Sequence, residues 1–289
     1  MSTILLTGAN GNTSSATISA LQGKGHRLIA LVRDPQKAKA LQDLGVEIRV
    51  GDLSQLRSVE DAFGGVDTAW LLAPPGPLAP TQASNALWAA RRGGVKHVVR
   101  MSAVGAAHDA PTLNSRMHAL SDSELERSGL PYTILKPHFF MQNLLMSAQS
   151  VAEQGAIYMA LGSAKLPMID VRDIAAVAAA VLSEPAPHAG KTYTLTGGSA
   201  VNLDQVASAI GEAIGKSVRY IPLPVAAMID TFAKLGLDDY TQVAMRDYFT
   251  AYARGWQSEV TPWVKQIAGK EPLSIADFAR DFAGAFGKR

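Results

Sequence analysis

Short apolar runs alternate with longer amphipathic stretches through the first half of the chain. The apolar runs are Ile4–Leu6, Leu28–Val32, Val46–Val50, Thr68–Leu72, His97–Met101 and Tyr132–Leu135. Helical periodicity fills the intervals near Ser14–Leu21, Gln36–Leu44, Leu56–Phe63, Thr81–Arg92 and Arg116–Arg127. Several apolar runs show no polar alternation, as strands covered on both faces require. This order predicts an α/β fold of the Rossmann type: a doubly wound parallel sheet with helices on both sides.

The rhythm changes after Lys136. Phe139-Phe140-Met141 opens a less regular region, Thr192-Tyr193-Thr194-Leu195 reads as a strand returning to the main sheet, and the chain from Asn202 is mostly helical with a short strand near Val218–Ile221. The expected division is a nucleotide-binding domain over 1–136, with its return strand near 191–196. A smaller, mostly helical substrate lobe over 137–289 would pack on it. No repeat, low-complexity tract or long linker interrupts the chain.

Composition narrows the functional classes. The 289 residues are 47% hydrophobic and 18% charged, and 27 Lys+Arg against 25 Asp+Glu leave a formal net charge of +2. Near-balance gives no electrostatic case for nucleic acid or an anionic membrane. There is no cysteine, which excludes disulfides, zinc–thiolate sites and a cysteine nucleophile. No His, Asp and Glu spacing suggests a metal site, so none is expected. The run Thr3–Thr7 is too short for a signal sequence, and no stretch approaches the ~18 apolar residues of a membrane span. A cytoplasmic location is expected; oligomeric state is not legible.

The candidate chemistry begins at Gly8-Ala9-Asn10-Gly11-Asn12-Thr13-Ser14, between the first strand and the first helix. Gly8 suits a tight turn, and Gly11 lets backbone approach a pyrophosphate at the helix N-terminus. The spacing is G-x-x-G, and the third small position holds Ser14. At the end of the second strand, where an NAD site carries a carboxylate, stands Arg33. Its guanidinium suits a ribose 2′-phosphate, which points to NADP(H); the plain alternative is a solvated surface arginine. Asp34-Pro35 reads as a helix cap followed by proline. Asp52 and Leu53 end the third strand, either against an adenine or as a loop in which Ser54 caps the next helix. Ala73 and Pro74 end the fourth strand, beside the expected switch point of the sheet.

Taken together, Thr7–Gly11, Leu31–Pro35, Gly51-Asp52-Leu53, Val95–Val99, Ser128–Pro137, Phe140–Leu144 and Asp170–Ala175 resemble the NmrA-like branch of the atypical short-chain dehydrogenases/reductases over nearly the whole chain. The resemblance implies an NADP(H)-binding protein. The branch holds NADPH-dependent quinone, azo-dye and triphenylmethane-dye reductases, and also NADP(H)-sensing regulators. Ser14 and the Phe140–Leu145 segment are also similar to reductases of ergot-alkaloid pathways, which reduce iminium ions.

Within that frame, Tyr132-x-x-x-Lys136 matches the catalytic pair of the main short-chain branch. That pair needs a helix, yet Pro131 and Pro137 bracket a β-rich run. On a strand, four residues separate the side chains by roughly 13 Å. Lys136, where the family usually has arginine, and Pro137 are instead expected to line the cofactor cleft, as are Asn12 and Thr13. His118 and Asp122 share a helix face at i and i+4, where the family carries His-x-x-x-Glu. His118 would donate a proton or position a substrate, with Asp122 orienting the ring or raising its basicity; alternatively the pair is structural. Ser102 occupies the family's catalytic-serine place, or bonds its own backbone. Phe139, Phe140 and Asn143 would border the substrate, with lobe core as the alternative reading for this segment. The expected function is hydride transfer from NADPH to a flat, electron-poor small molecule of quinone, azo or imine type. A non-enzymatic NADP(H) sensor docking on a protein partner is the rival.

Overall fold

The structure is a computed structural model and describes residues 1–287. Its strands are β1 (Thr3–Leu6), β2 (Arg27–Val32), β3 (Glu47–Val50), β4 (Thr68–Leu71), β5 (His97–Met101), β6 (Tyr132–Pro137), β7 (Ala156–Met159), β8 (Lys191–Leu195) and β9 (Arg219–Pro222). The helices are α1 (Asn12–Leu21), α2 (Lys39–Asp43), α3 (Leu56–Val59), α4 (Ala79–Arg92), α5 (Leu113–Arg127), α6 (Ala148–Gln154), α7 (Val171–Ser183), α8 (Leu203–Ile214), α9 (Val225–Lys234), α10 (Asp239–Ala253), α11 (Trp263–Ala268), α12 (Ile275–Asp281) and α13 (Ala283–Phe286). The chain forms two compact units.

The first unit comprises Met1–Ala110, Asn114–Pro137 and Val171–Thr194. Its sheet runs in the order β3-β2-β1-β4-β5-β6-β8. The pairings from β3 across to β6 are all parallel. Ile4, Leu5 and Leu6 of β1 and every residue of β4 and β5 are buried, which is why these runs lack alternation. One core layer joins Leu5, Ile29, Phe63, Leu71, Leu87, Val98, Leu125 and Ile134. Each such side chain contributes about 1.5–3 kcal/mol by leaving water. On another face α7 packs against α1. Small residues at the buried surface of α7 (Ala175, Ala178, Ala179) allow close approach.

The first unit runs to Pro137 and then takes up the chain again from Val171 to Thr194. Helix α7, placed by sequence in the lobe, belongs to the first unit, because its broad apolar face is buried there. Two expected helices are also shorter than their patterns. The stretch near Gln36–Leu44 begins as a 3-10 turn, Pro35–Ala38, capped by the Asp34 carboxylate accepting from the Gln36 N–H. Helix α3 ends by Val59, ahead of Gly64-Gly65.

The second unit comprises Pro111–Leu113, His138–Asp170 and the chain from Leu195. A two-stranded parallel sheet pairs β7 with β9. Strand β7 was not expected: four residues whose partner lies far along the chain leave no local signal. Helices α8 and α12 pack together, and each starts with a capping box, Asn202 with Gln205 and Ser274 with Asp277, a reciprocal bond pair that satisfies two otherwise orphan donors. Phe278 and Phe286 anchor the core of this unit. Among the described residues no helix is long and apolar enough to cross a membrane.

Candidate functional site

A cleft of about 410 Å³ opens where β1 and β4 lie side by side, the point at which the strand order reverses. Ligands of doubly wound sheets bind at such points. Gly8, Asn10, Gly11, Arg33, Asp52, Leu53 and Pro74 all line it, together with Leu31, Val32, Gly51, Leu72, Pro75 and Gln82, none of which the sequence assigned to the cofactor. Gly8 adopts φ +62°, and a Cβ there would meet Leu72 Cδ2 at 2.9 Å. Gly11 has extended φ/ψ and precedes α1, with no side-chain cap. A Cβ at Gly11 would meet Gly8 O at 3.2 Å and otherwise project away from protein atoms. The first turn of α1 thus begins beside the cleft without a side-chain cap, which leaves its N–H groups for an anion.

Ser14 has a physical role of its own. Its hydroxyl donates to Thr7 O at 2.9 Å and accepts from Trp70 Nε1 at 2.9 Å. Thr7 Oγ1 in turn donates to Leu72 O at 2.8 Å and accepts from the Leu72 N–H at 2.8 Å. These buried bonds tie the loop to the ends of β1 and β4, so serine at the third small position braces the cleft.

At the rim, Arg33 is exposed and makes no hydrogen bond or ion pair with another described residue. Asp52 accepts from the N–H and the hydroxyl of Ser54 at 2.8 and 2.7 Å. Those bonds, with a smaller contribution from the Arg33 charge, hold its carboxyl below the ordinary value. Ser54 is thus occupied by Asp52, and the residue preceding α3 is Gln55, without a side-chain cap. The alternative reading, in which Ser54 caps this helix, is not what the structure shows. Ala73 is buried just behind the lining, and Asn12 and Thr13 open α1.

A second cluster lies along β5, β6 and α5 of the same unit. Ser102 follows β5 and its N–H donates to Leu135 O at 2.8 Å, which sets it beside Lys136 on β6. The Ser102 hydroxyl donates to Asp122 Oδ2 at 2.6 Å. Arg100 Nε donates to Asp122 Oδ1 at 3.0 Å. Lys136 Nζ lies 3.5 Å from Asp122 Oδ2 and donates to Ala106 O at 2.9 Å. Arg100 Nη2 reaches His118 Nδ1 at 3.3 Å. Asp122 is therefore the hub, and Arg100 is the group that joins it to His118.

This arrangement differs from the expected His118–Asp122 couple. The Asp122 carboxylate is engaged by Ser102, Arg100 and Lys136, while His118 faces a cation. Burial first, then the charges of Arg100 and Lys136, push His118 down to about 3 rather than raising its basicity. A ring held neutral donates a hydrogen bond more readily than a proton. Burial lowers the pKa of Arg100 too, and the Asp122 charge and hydrogen bond oppose it. Lys136 joins this cluster and is not part of the cleft lining, and Pro137 closes β6 with its carbonyl accepting from the Val104 N–H at 3.0 Å. Arg100 was missed. Its signal was a lone charge in an otherwise apolar-flanked strand, His97–Met101.

Tyr132 lies on β6 at the opposite end from Lys136, packed on the core layer. Burial and Glu126 hold its phenol above the ordinary value. Phe139, Phe140 and Asn143 belong to the second unit. There Phe139 meets Tyr252 edge-on at 6.2 Å, and Tyr252 stacks on Tyr248 at 5.4 Å. Phe140 bridges to Ile169, and the Asn143 N–H donates to Phe140 O at 3.0 Å. Met141 and Leu144 are lobe core.

The NmrA-like family model matches residues 1–266. The chain is 35% identical to an NAD(P)H azoreductase of Xenophilus azovorans, over 98% of this chain and 99% of that one. It is 30% identical to quinone oxidoreductase 2 of Escherichia coli, over 95% and 96% of the two chains. The solved structure of an E. coli NADPH-dependent quinone oxidoreductase in complex with NADPH superposes with a TM-score of 0.88, at 29% identity, over 96% of this chain and 99% of that one. With the strand order, the glycine-built cleft and these full-length matches in agreement, the chain belongs to the NmrA-like family.

Proposed function

We propose that this protein is an NADPH-dependent reductase that passes hydride to a flat, electron-poor organic acceptor of the quinone, azo or imine type. The observation that carries the reading is the cleft at the β1/β4 switch point, built from backbone at Gly8 and Gly11 and edged by an exposed, unengaged Arg33. The residues present fit the cofactor. The loop and the N-terminus of α1 would hold the pyrophosphate, Arg33 the 2′-phosphate, and Asp52 with Leu53 the adenine end. Bound there, the cofactor supplies the hydride.

The chain's own contribution is binding and orientation. Ser102 already donates its proton to Asp122, so its oxygen presents lone pairs to a ligand amide or hydroxyl. Lys136 Nζ sits beside that carboxylate. His118 presents a hydrogen-bond donor toward an acceptor atom. Acceptors of these classes are reduced with little help from a strong acid, in keeping with a site that has no Tyr–Lys pair on one helix face. The azoreductase and quinone oxidoreductase relatives support the acceptor class.

The test is steady-state oxidation of NADPH and of NADH against a panel of quinones, azo dyes, triphenylmethane dyes and cyclic imines. Turnover of at least one class, with NADPH preferred, is expected. Tight NADPH binding with no turnover across the panel would sink the reading and favour the sensor.

A further inference from the structure

We propose that Arg100 is the positioning residue of this site: by donating from Nη2 to His118 Nδ1 it commits the ring to carry its proton on Nε2. The inference deepens the reductase reading, since it defines what His118 can offer an acceptor. Arg100 sits in a strand whose five residues are all buried, and is itself 2% exposed. Its Nε bond to Asp122 Oδ1 fixes the guanidinium plane, and Nη2 then falls 3.3 Å from Nδ1. A guanidinium has donors and no acceptor. Nδ1 must therefore accept, and the ring proton belongs on Nε2. Nη1 is buried without a hydrogen-bond partner, an arrangement made for aiming the other nitrogens rather than for satisfying every donor.

The charges around His118 agree. Arg100 faces it from β5 and Lys136 from β6. On its own helix, Asp122 is turned to Ser102, Arg100 and Lys136. Two cations and an engaged carboxylate disfavour an imidazolium. A direct Asp122–His118 couple would have the opposite sign, a raised basicity and a proton on Nδ1 directed at the carboxylate.

The experiment uses the full chain labelled with ¹⁵N-histidine. Long-range ¹H–¹⁵N spectra are recorded from pH 5 to 8, with His118 assigned by its loss in His118→Asn. The expected result is a neutral ring protonated at Nε2 across the range. In Arg100→Met, which removes the donor and frees a carboxylate oxygen, a His118 titration should enter that window. With a competent acceptor, kcat/KM should be flat in pH for the unmodified protein and gain an inflection in Arg100→Met that disappears in Arg100→Met/His118→Asn. If Arg100→Met does not fold, Arg100→Lys substitutes: one nitrogen for two acceptors should mix the tautomers. An Nδ1–H tautomer or a His118 titration between pH 5 and 8 in the unmodified protein would overturn the proposal. So would unchanged His118 signals in a folded Arg100 variant. The spectra need no turnover, so an inactive reductase would remove the proposed reaction and leave this assignment standing.

Discussion

The glycine cleft and the Asp122 cluster both lie at the C-terminal edge of one sheet, yet they are made of opposite materials. The cleft is mostly backbone. Its central residues, Gly8 to Gly11, are contiguous, and the two glycines owe their use to missing side chains. The cluster is all side chain: Arg100, Ser102, Asp122 and Lys136, brought from β5, α5 and β6, with His118 reached through Arg100. A backbone-built site should fail when atoms are added and leave the fold intact. A side-chain network around buried charge should fail when atoms are removed, and should take stability with it.

The largest effect is expected at Gly11. Gly11→Val adds a branched side chain where a pyrophosphate must approach the backbone, while its extended φ suits valine. NADPH binding, followed by fluorescence titration, should be abolished, with a melting temperature close to that of the unmodified protein. Near-normal affinity would mean that the loop does not hold the cofactor.

Next comes Asp122→Ala. It leaves Arg100 buried without its counter-charge, the situation in which one lost partner destabilises by roughly 3–5 kcal/mol. For a chain of this size that is a fall of roughly 10 °C in Tm, read by calorimetry. NADPH affinity should change far less than in Gly11→Val. A stable Asp122→Ala would break the contrast drawn between the two regions.

Arg33→Ala sharpens the cleft side. Losing a charged hydrogen bond should weaken NADPH by roughly 1.5–3 kcal/mol and leave NADH almost unchanged. Parallel titrations with both cofactors decide it; equal losses would remove Arg33 from 2′-phosphate recognition. The smallest effect is expected from Tyr132→Phe. The phenol sits at the far end of β6 from Lys136, so kcat should stay within about twofold in steady-state assays. A large fall would restore the tyrosine–lysine mechanism of the main short-chain branch.

Much of the cleft was legible in the sequence. A strand, a glycine loop and a helix in succession have one geometry, and Arg33 announces itself by replacing the usual carboxylate. The Asp34-Pro35 cap was legible for the same reason: its bond runs two residues along the chain. At Ser54 the sequence left two readings open, because Asx turns and helix caps draw on the same residues. In the second cluster, helical spacing correctly placed His118 and Asp122 one turn apart on α5. Spacing alone carried no information on whether they bond each other or something else.

What the sequence determined by itself follows from short-range physics: periods of two and 3.6, glycine at positive φ, and the burial of unalternated strands. These set the fold class and the loop that shapes the cleft. Only the tertiary structure decided the partners of Asp122 and the state of His118. Those depend on the parallel register of β5 and β6, which pairs Arg100 with Ile134 and Met101 with Leu135 and so sets Ser102 beside Lys136. They depend also on the face of α5 that is buried against those strands. The buried Asp122 carboxylate takes the cations that packing brings to it, Arg100 at 3.0 Å and Lys136 at 3.5 Å, and that choice is made among residues distant in the chain.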